Sequence, residues 1–492
     1  MLGLSMAIID TSIVNVALPT IGGSLGSTTD EIAWVATGYI LANVLVMPLN
    51  GWLTAQLGRK RYYTICLALF TIASLLCGTA RTTVQLVIWR VIQGLGGGAL
   101  QPTAQSILFE SYPAERRNAG MAIFGIGAMV GPAIGPTLGG LIVDNGSWPL
   151  IFLINIPIGI VALFMTNAYI RDPAYLAKPE RGIDTIGLTM MVVGLASMQY
   201  VLERGQREDW FSSQHILFFA IVALFALIGF VIREWRDPHA FVHLRIFRQR
   251  AFAAGNCIGI ISGFGLYGLN LVVPQFMQVS LGFTPTLTGL ALMPGAIATA
   301  CSMFFAPIAA RRLSSRGSIV LGLLLFAIGA WWMGGLNQFA GYDQLLWPRV
   351  VQGFALGFLF VPLTTLTLAG VDRAELPGAT GLYTLVRQLG GSIGIALLEL
   401  LETRRQQYDQ SILASTITLA HPAVAGTVDH HGVISQGVLL HIYRLVQQNA
   451  QVLSYDYIFR LSAMIFLLSI PCVFLLRGAT TNTEAALSTL AD

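Results

Sequence analysis

Two stretches decide how this chain is read: RVIQGLGGGAL at 90–100 and RVVQGFALGFL at 349–359. Each sets an arginine, a glutamine three residues on and then a glycine inside a long apolar run, where a charge is costly. The surroundings repeat too. Before the first stretch an apolar run ends at GWLTAQLGRKR (51–61), and after it the next run begins beyond PAERRNAG (113–120). Around the second, the corresponding landmarks are APIAARRLSSRG (306–317) and DRAELPGATG (372–381). Chance likeness between two Leu- and Gly-rich runs explains one short match; it does not explain a series in the same order.

Composition says what kind of solvent the repeat lives in. Of 492 residues, 55% are hydrophobic and 11% charged, against about 25% charged in a soluble domain, and mean hydropathy is +0.69. Apolar runs of about 20 residues, enough to cross a hydrocarbon core of about 30 Å, follow one another from end to end. Fourteen are expected, from one centred near Ser12 to one near Ile465. No stretch is polar enough for a separate soluble domain, and the net charge of +4 calls for no nucleic-acid partner.

Short basic loops stay cytoplasmic. Loops after even-numbered spans carry Arg59, Lys60 and Arg61; Arg116 and Arg117; Arg171, Lys178 and Arg181; Arg233 to Arg250; and Arg311, Arg312 and Arg316. Both termini are therefore expected inside, in a multi-pass protein of the cytoplasmic (inner) membrane. Cys66, Cys77, Cys257, Cys301 and Cys472 fall in apolar runs without a CxxC and read as packing residues. The first run has no basic leader and continues as a span, so no cleaved signal is expected; it begins almost at Met1, which fits a true start slightly upstream.

The expected fold class is all-α integral membrane with 6 + 2 + 6 transmembrane helices: an N-terminal six-helix half (1–170), a linker with two added helices (171–250), and a C-terminal six-helix half (251–492) that includes a long outer loop at 403–455. Two like-oriented halves related by an axis along the membrane normal form the major facilitator layout. The motifs carry the likeness further. DTSIVNVALPTI (10–21), GWLTAQLGRKR, RVIQGLGGG (90–98), GAMVGPAIGPTLGG (127–140), LERGQREDWFSS (202–213) and RQLGGSIGIA (387–396) together resemble the fourteen-helix drug:proton antiporters of the major facilitator superfamily, EmrB/QacA type, over essentially the whole chain. The resemblance implies proton-driven efflux without a cofactor, and a periplasmic adaptor and outer-membrane channel as partners. One departure stands out: the loop motif usually has an aspartate where this chain has Ala55, although Gly51, Gly58, Arg59 and Lys60 match.

Candidate residues follow from cost. Asp10 is read as the only acid well inside a span, and a carboxylate at that depth costs roughly 2.5 to 3.5 kcal/mol, so it needs a cavity or a partner. Desolvation penalises the carboxylate and a nearby cation favours it, so a conformational change that alters either moves a proton. Arg90 cannot release its proton and is the expected partner of such an acid, although its long stem also allows it to snorkel. Arg349, behind Trp347 and Pro348, is nearer its outer end and reads as a snorkelling echo of the repeat.

The run after Gly94 lacks the GK[ST] of a phosphate loop, and small residues for close helix packing explain it better. Gly127, Gly131, Gly135 and Gly139, followed by Gly140, line one helix face expected to slide against the opposite half, with kinks at Pro132 and Pro136. Polar or aromatic candidates for a substrate cavity are Asn15, Tyr39, Asn43, Gln93, Asn256, Tyr267, Asn270, Gln275, Tyr383 and Arg387, though helix-to-helix hydrogen bonds account for any one of them equally well. The histidines of VDHHG (428–432) have no further ligand spaced to complete a metal site. Val438, Leu439, Ile442, Leu445 and Val446 keep helical spacing at 437–456, an outer amphipathic helix fit to meet the mouth or a partner.

Proton-coupled efflux of amphipathic compounds is the leading reading. A carrier of one metabolite, such as a sugar or siderophore, is the alternative on the same fold. No Ser/His/Asp arrangement, metal set or nucleotide loop supports an enzyme.

Overall fold

In hydrocarbon every backbone N–H and C=O must be paired within its own segment, which leaves the α-helix for a chain of this pattern. The computed structural model describes residues 1–173, 182, 184–237, 240–416 and 436–476, and among these there is no strand. The first six long helices are α1 (Leu2–Leu25), α2 (Thr29–Val46, running on through Met47–Leu49 into Asn50–Leu57), α3 (Arg59–Gly78), α4 (Thr83–Ser111), α5 (Arg117–Asn145) and α6 (Asn155–Tyr169). Two more follow, α7 (Thr185–Arg204) and α8 (Gln214–Arg236). The rest are α9 (Arg250–Gly263, continued as far as Phe276–Ser280), α10 (Pro285–Arg312), α11 (Ser314–Met333), α12 (Tyr342–Leu368), α13 (Leu376–Thr416) and α14 (Gln436–Leu468). Twelve are long and apolar enough to cross a membrane; α4 and α5, 29 residues each, bring the long helices among the described residues to fourteen.

The repeat shows in caps and contacts. Thr28 accepts a hydrogen bond from Glu31 N at the start of α2, and Thr284 accepts one from Leu287 N at the start of α10; each satisfies a backbone donor that the first turn leaves orphaned. Further in, Gly94 of α4 lies against Tyr39 and Ala42 of α2, and Gly353 of α12 lies in the same way against Gly295 and Ala298 of α10. A Cβ on either glycine would meet the facing backbone oxygen at 2.5 or 2.1 Å, so neither position admits a larger residue.

The glycine face of α5 does not slide on the opposite half as its pattern suggested. Gly127, Gly131, Gly135 and Gly139 face Met1 and Ser5, Ile8, Ser12 and Ile13 of α1, within the same half. The period of four matches α1's own period, so the two helices lock along their length. Nothing lies within 4 Å of a Cβ at Gly140. The opposite half is met by another face, where Phe124 stacks on Phe360 at 6.0 Å and Gly125 touches Met303. The kinks expected at Pro132 and Pro136 rest on side chains outside the described ones.

The halves meet at their basic ends. Gly51 lies against Gly378 so closely that a Cβ would come within 2.7 Å of its Cα, and Gly381 packs on the Met47 carbonyl. Asn50 Nδ2 donates to Pro377 O at 2.7 Å, and Thr103 Oγ1 donates to Asn50 Oδ1 at 2.8 Å, both buried. At the same end Gly58, at φ 82°, turns the chain between α2 and α3. Arg59 reaches Glu110 with two nitrogens, at 2.9 and 2.8 Å. Asp172 accepts from Lys60 N at 2.8 Å and caps α3 with a negative charge; Ala55 leaves no carboxylate within the loop motif for that task.

The added helices bridge the halves. Tyr200 of α7 stacks on Trp34 of α2, and Thr37 Oγ1 donates to Glu203 at 2.9 Å; from the other side Gln199 donates to Ser392 of α13 at 3.0 Å. The described parts of the expected outer loop at 403–455, residues 403–416 and 436–455, are helical instead. The helix of α13 runs to Thr416 and α14 starts at Gln436, because the apolar spacing at 437–456 continues in phase into the span. Lys178, Arg181 and the VDHHG histidines lie outside the described residues.

Candidate functional site

Asp10 and Arg90 are 0% and 1% exposed and form an ion pair, Arg90 Nη1 to Asp10 Oδ2, at 2.6 Å. The glycines of α5 set the depth of α1, and Gly94 lets α4 approach α2, so the two charges come level. Arg90 Nη1 also donates to Gln93 Oε1 at 2.7 Å, and Nε donates to the Val35 carbonyl of α2 at 3.1 Å. Tyr39 lies beneath the guanidinium, its ring centre 4.1 Å from the central carbon. Arg90 therefore does not snorkel.

The other carboxylate oxygen is satisfied from two sides. Gln93 Nε2 donates to Asp10 Oδ1 at 3.1 Å and Asn155 Nδ2 at 2.7 Å. Asn155 Nδ2 also reaches Ser74 Oγ of α3 at 3.0 Å, and Ser74 donates to the Phe152 carbonyl at 2.9 Å. Five helices thus converge on one charge pair. Asn155 and Ser74 were not singled out in the sequence; the signal was available, since both are polar residues in the middle of apolar runs. Asp10 is not alone as an acid within a long helix. Glu399 and Glu402 lie in α13, and Glu234 near the end of α8 is buried, accepting from Val242 N at 3.0 Å.

Of the residues expected to line a cavity, Tyr39 and Gln93 belong to this network. Asn43, Asn256, Tyr383 and Arg387 are buried, Tyr267 and Gln275 half-buried, and Asn15 and Asn270 exposed. Asn256 turns its amide back to Phe252 O at 2.8 Å, and Tyr383 meets Thr364 at 3.3 Å. A cavity of about 570 Å³ between Trp210, Thr403 and Arg404 shares no residue with the ion pair.

The second half repeats the frame without the charge pair. Arg349 Nη1 donates to Gln352 Oε1 at 2.9 Å, as Arg90 does to Gln93. Its half-buried side chain has an enclosed, unpartnered Nε, so it is held inside and not freed at the rim. Matching the N-x-x-x-P of α1 (Asn15, Pro19) to that of α9 (Asn270, Pro274) sets Gly265 in Asp10's place. A Cβ there would come within 2.3 Å of Phe466 and 3.1 Å of Phe326, two rings stacked at 4.1 Å. Tyr39's place is taken by Gly295. Acid and aromatic ring are both glycine here; the space beside Gly265 is filled with rings, and Gly295 lies against Arg349.

The family model described as Major Facilitator Superfamily matches residues 1–395. The chain belongs to the Major Facilitator Superfamily. This major facilitator is 34% identical to the multidrug export protein EmrB of Escherichia coli K12 over 477 residues, 95% of this chain and 92% of that one. It is 33% identical to the fatty acid resistance protein FarB of Neisseria gonorrhoeae over 483 residues, 96% and 94% of the two chains. The crystal structure of the human organic anion transporter MFSD10 has the same fold, with a TM-score of 0.63, 14% identity and 97% of each chain covered. As a major facilitator the chain is a multi-pass transport protein of the cytoplasmic membrane and not an enzyme.

Proposed function

We propose that this major facilitator exports amphipathic organic compounds from the cytoplasm in exchange for protons, by alternating access. The observation that carries the reading is the Asp10–Arg90 pair, sealed among five helices with donors on both carboxylate oxygens. A carboxylate so held depends on those donors, and movement of α1 against α4 changes both its solvation and its partners. In this account Asp10 takes a proton when the protein faces outward, and inward opening releases that proton to the cytoplasm while substrate binds there and Arg90 re-engages the carboxylate. Residues 1–170 and 251–492 rock as the two bodies, with 171–250 spanning them, and both termini lie in the cytoplasm. No cofactor takes part; the proton gradient is the energy source.

The names of the relatives, multidrug export and fatty acid resistance, support an amphipathic cargo. The extended ends of α13 and α14 support a further partner. Arg405 packs over Tyr457 at 5.2 Å, joining the two extensions, while Leu439, Leu440, Tyr443 and Leu445 stay exposed beyond them. That surface fits a periplasmic adaptor leading to an outer-membrane channel.

The test is export in proteoliposomes under an imposed pH gradient, read with a panel of fluorescent amphipaths. Several unrelated compounds should move, and a protonophore should stop them. Movement of one compound alone would contradict the broad-cargo reading in favour of a dedicated metabolite carrier.

A further inference from the structure

The C-terminal half buries a cation that no carboxylate among the described residues pairs with. Arg387 of α13 is 3% exposed and lies 11 residues after Leu376, about 16 Å along the helix, near the middle of a hydrocarbon core of about 30 Å. Its Nε and Nη1 are enclosed without a hydrogen-bond acceptor, and no carboxylate among the described residues forms an ion pair with it. Glu399, the next acid along its own helix, is 12 residues on, about 18 Å away along the axis. What it does have is aromatic: the guanidinium lies 4.9 Å from the Phe360 ring centre and 5.8 Å from that of Tyr383.

A guanidinium cannot escape by deprotonation. Leaving it buried and unpaired is costly, and a cation–π contact offsets only part of that cost. The arrangement is complete only with an anion. A second unsatisfied donor lies across the seam between the halves. Thr384, one turn before Arg387, donates to Gln105 Oε1 of α4 at 3.3 Å, while Gln105 Nε2 is buried without a partner. Phe360 continues the wall across the same seam by stacking on Phe124 of α5. A cation over an aromatic wall, with an unpartnered amide donor held beside Thr384 from the other half, suits a planar carboxylate carried on an apolar group.

We propose that Arg387, with Gln105 Nε2, anchors the head group of amphipathic carboxylates, so that anionic amphipaths are a preferred cargo. This rests on the exporter reading above. It also gives the halves separate tasks: the N-terminal half holds an internally neutralised pair, and the C-terminal half holds a positive charge that the cargo neutralises.

Binding separates the possibilities. Purified full-length protein is titrated calorimetrically with 2-naphthoate and with its cationic counterpart 2-naphthylmethylammonium. Wild type should bind the carboxylate at least tenfold more tightly. Arg387→Gln should remove that preference, Arg387→Lys should keep most of it, and Gln105→Leu should weaken naphthoate alone, about threefold. Equal affinity of wild type for the two probes, or an equal loss of both in Arg387→Gln with an unchanged melting temperature, overturns the proposal. If Arg387→Gln does not fold, Arg387→Lys and Gln105→Leu decide: a naphthoate-selective loss in Gln105→Leu sustains the proposal, and no selective change in either overturns it. Failure of the exporter reading would look different, as the absence of gradient-driven movement of every amphipath by wild type, whatever these affinities are.

Discussion

At the scale of single residues, the Asp10–Arg90 pair is held by geometry and not by attraction alone. Removing one partner of a buried pair leaves the other uncompensated and costs about 3 to 5 kcal/mol, whereas replacing both costs far less. Asp10→Asn and Arg90→Gln should each lower the melting temperature of the purified protein more than the double substitution does. Additive losses in the double variant would show that the two side chains act independently. Both charges were legible in the sequence, because any ionisable residue in an apolar run must be explained. Asn155 and Ser74 carried a fainter signal, since a neutral polar side chain in a span costs little and leaves a weaker mark than a charge. The structure shows what they do: Asn155 supplies the 2.7 Å hydrogen bond that fixes Asp10 Oδ1. Asn155→Leu should therefore impair pH-gradient-driven export well before it unfolds the protein, measured as transport rate against melting temperature.

Among the helices, small residues decide which surfaces meet. The period-four glycines of α5 were plain in the sequence, but periodicity names a face without naming its partner. Gly131 meets Ile8, and a Cβ there would lie 2.4 Å from its side chain and 2.9 Å from its carbonyl oxygen. Overpacking of this kind typically costs 1–3 kcal/mol. Gly131→Val should thus lower the melting temperature and slow transport by moving α1, and with it Asp10, away from α4. Gly140→Ala, which meets nothing within 4 Å, should be silent in both measurements. If the two variants behave alike, the α1–α5 contact is not what sets the depth of Asp10. The helical extensions of α13 and α14 teach a similar lesson. Their polar composition resembles that of a loop; the apolar phase running from Leu439 into the span marked the α14 extension as helix, and no such signal marked that of α13.

The whole molecule is two copies of one frame put to different uses. The recurring Arg-x-x-Gln-Gly predicted the duplication, and both copies keep the arginine-to-glutamine hydrogen bond, at 2.7 and 2.9 Å. Sequence likeness gave no warning of the difference around them. It appears only when Gly265 and Gly295 are seen to stand where Asp10 and Tyr39 stand in the first half, with the Phe326–Phe466 stack filling the space beside Gly265. We therefore propose that proton coupling belongs to the N-terminal half. The measurement that tests this most directly follows proton and cargo movement together, in proteoliposomes containing a trapped pH indicator, for wild type and Asp10→Asn. Wild type should show proton flux whenever a transported amphipath is added and accumulation driven by the pH gradient. Asp10→Asn should show neither, while still binding the amphipath. Full gradient-driven transport by Asp10→Asn would contradict the account.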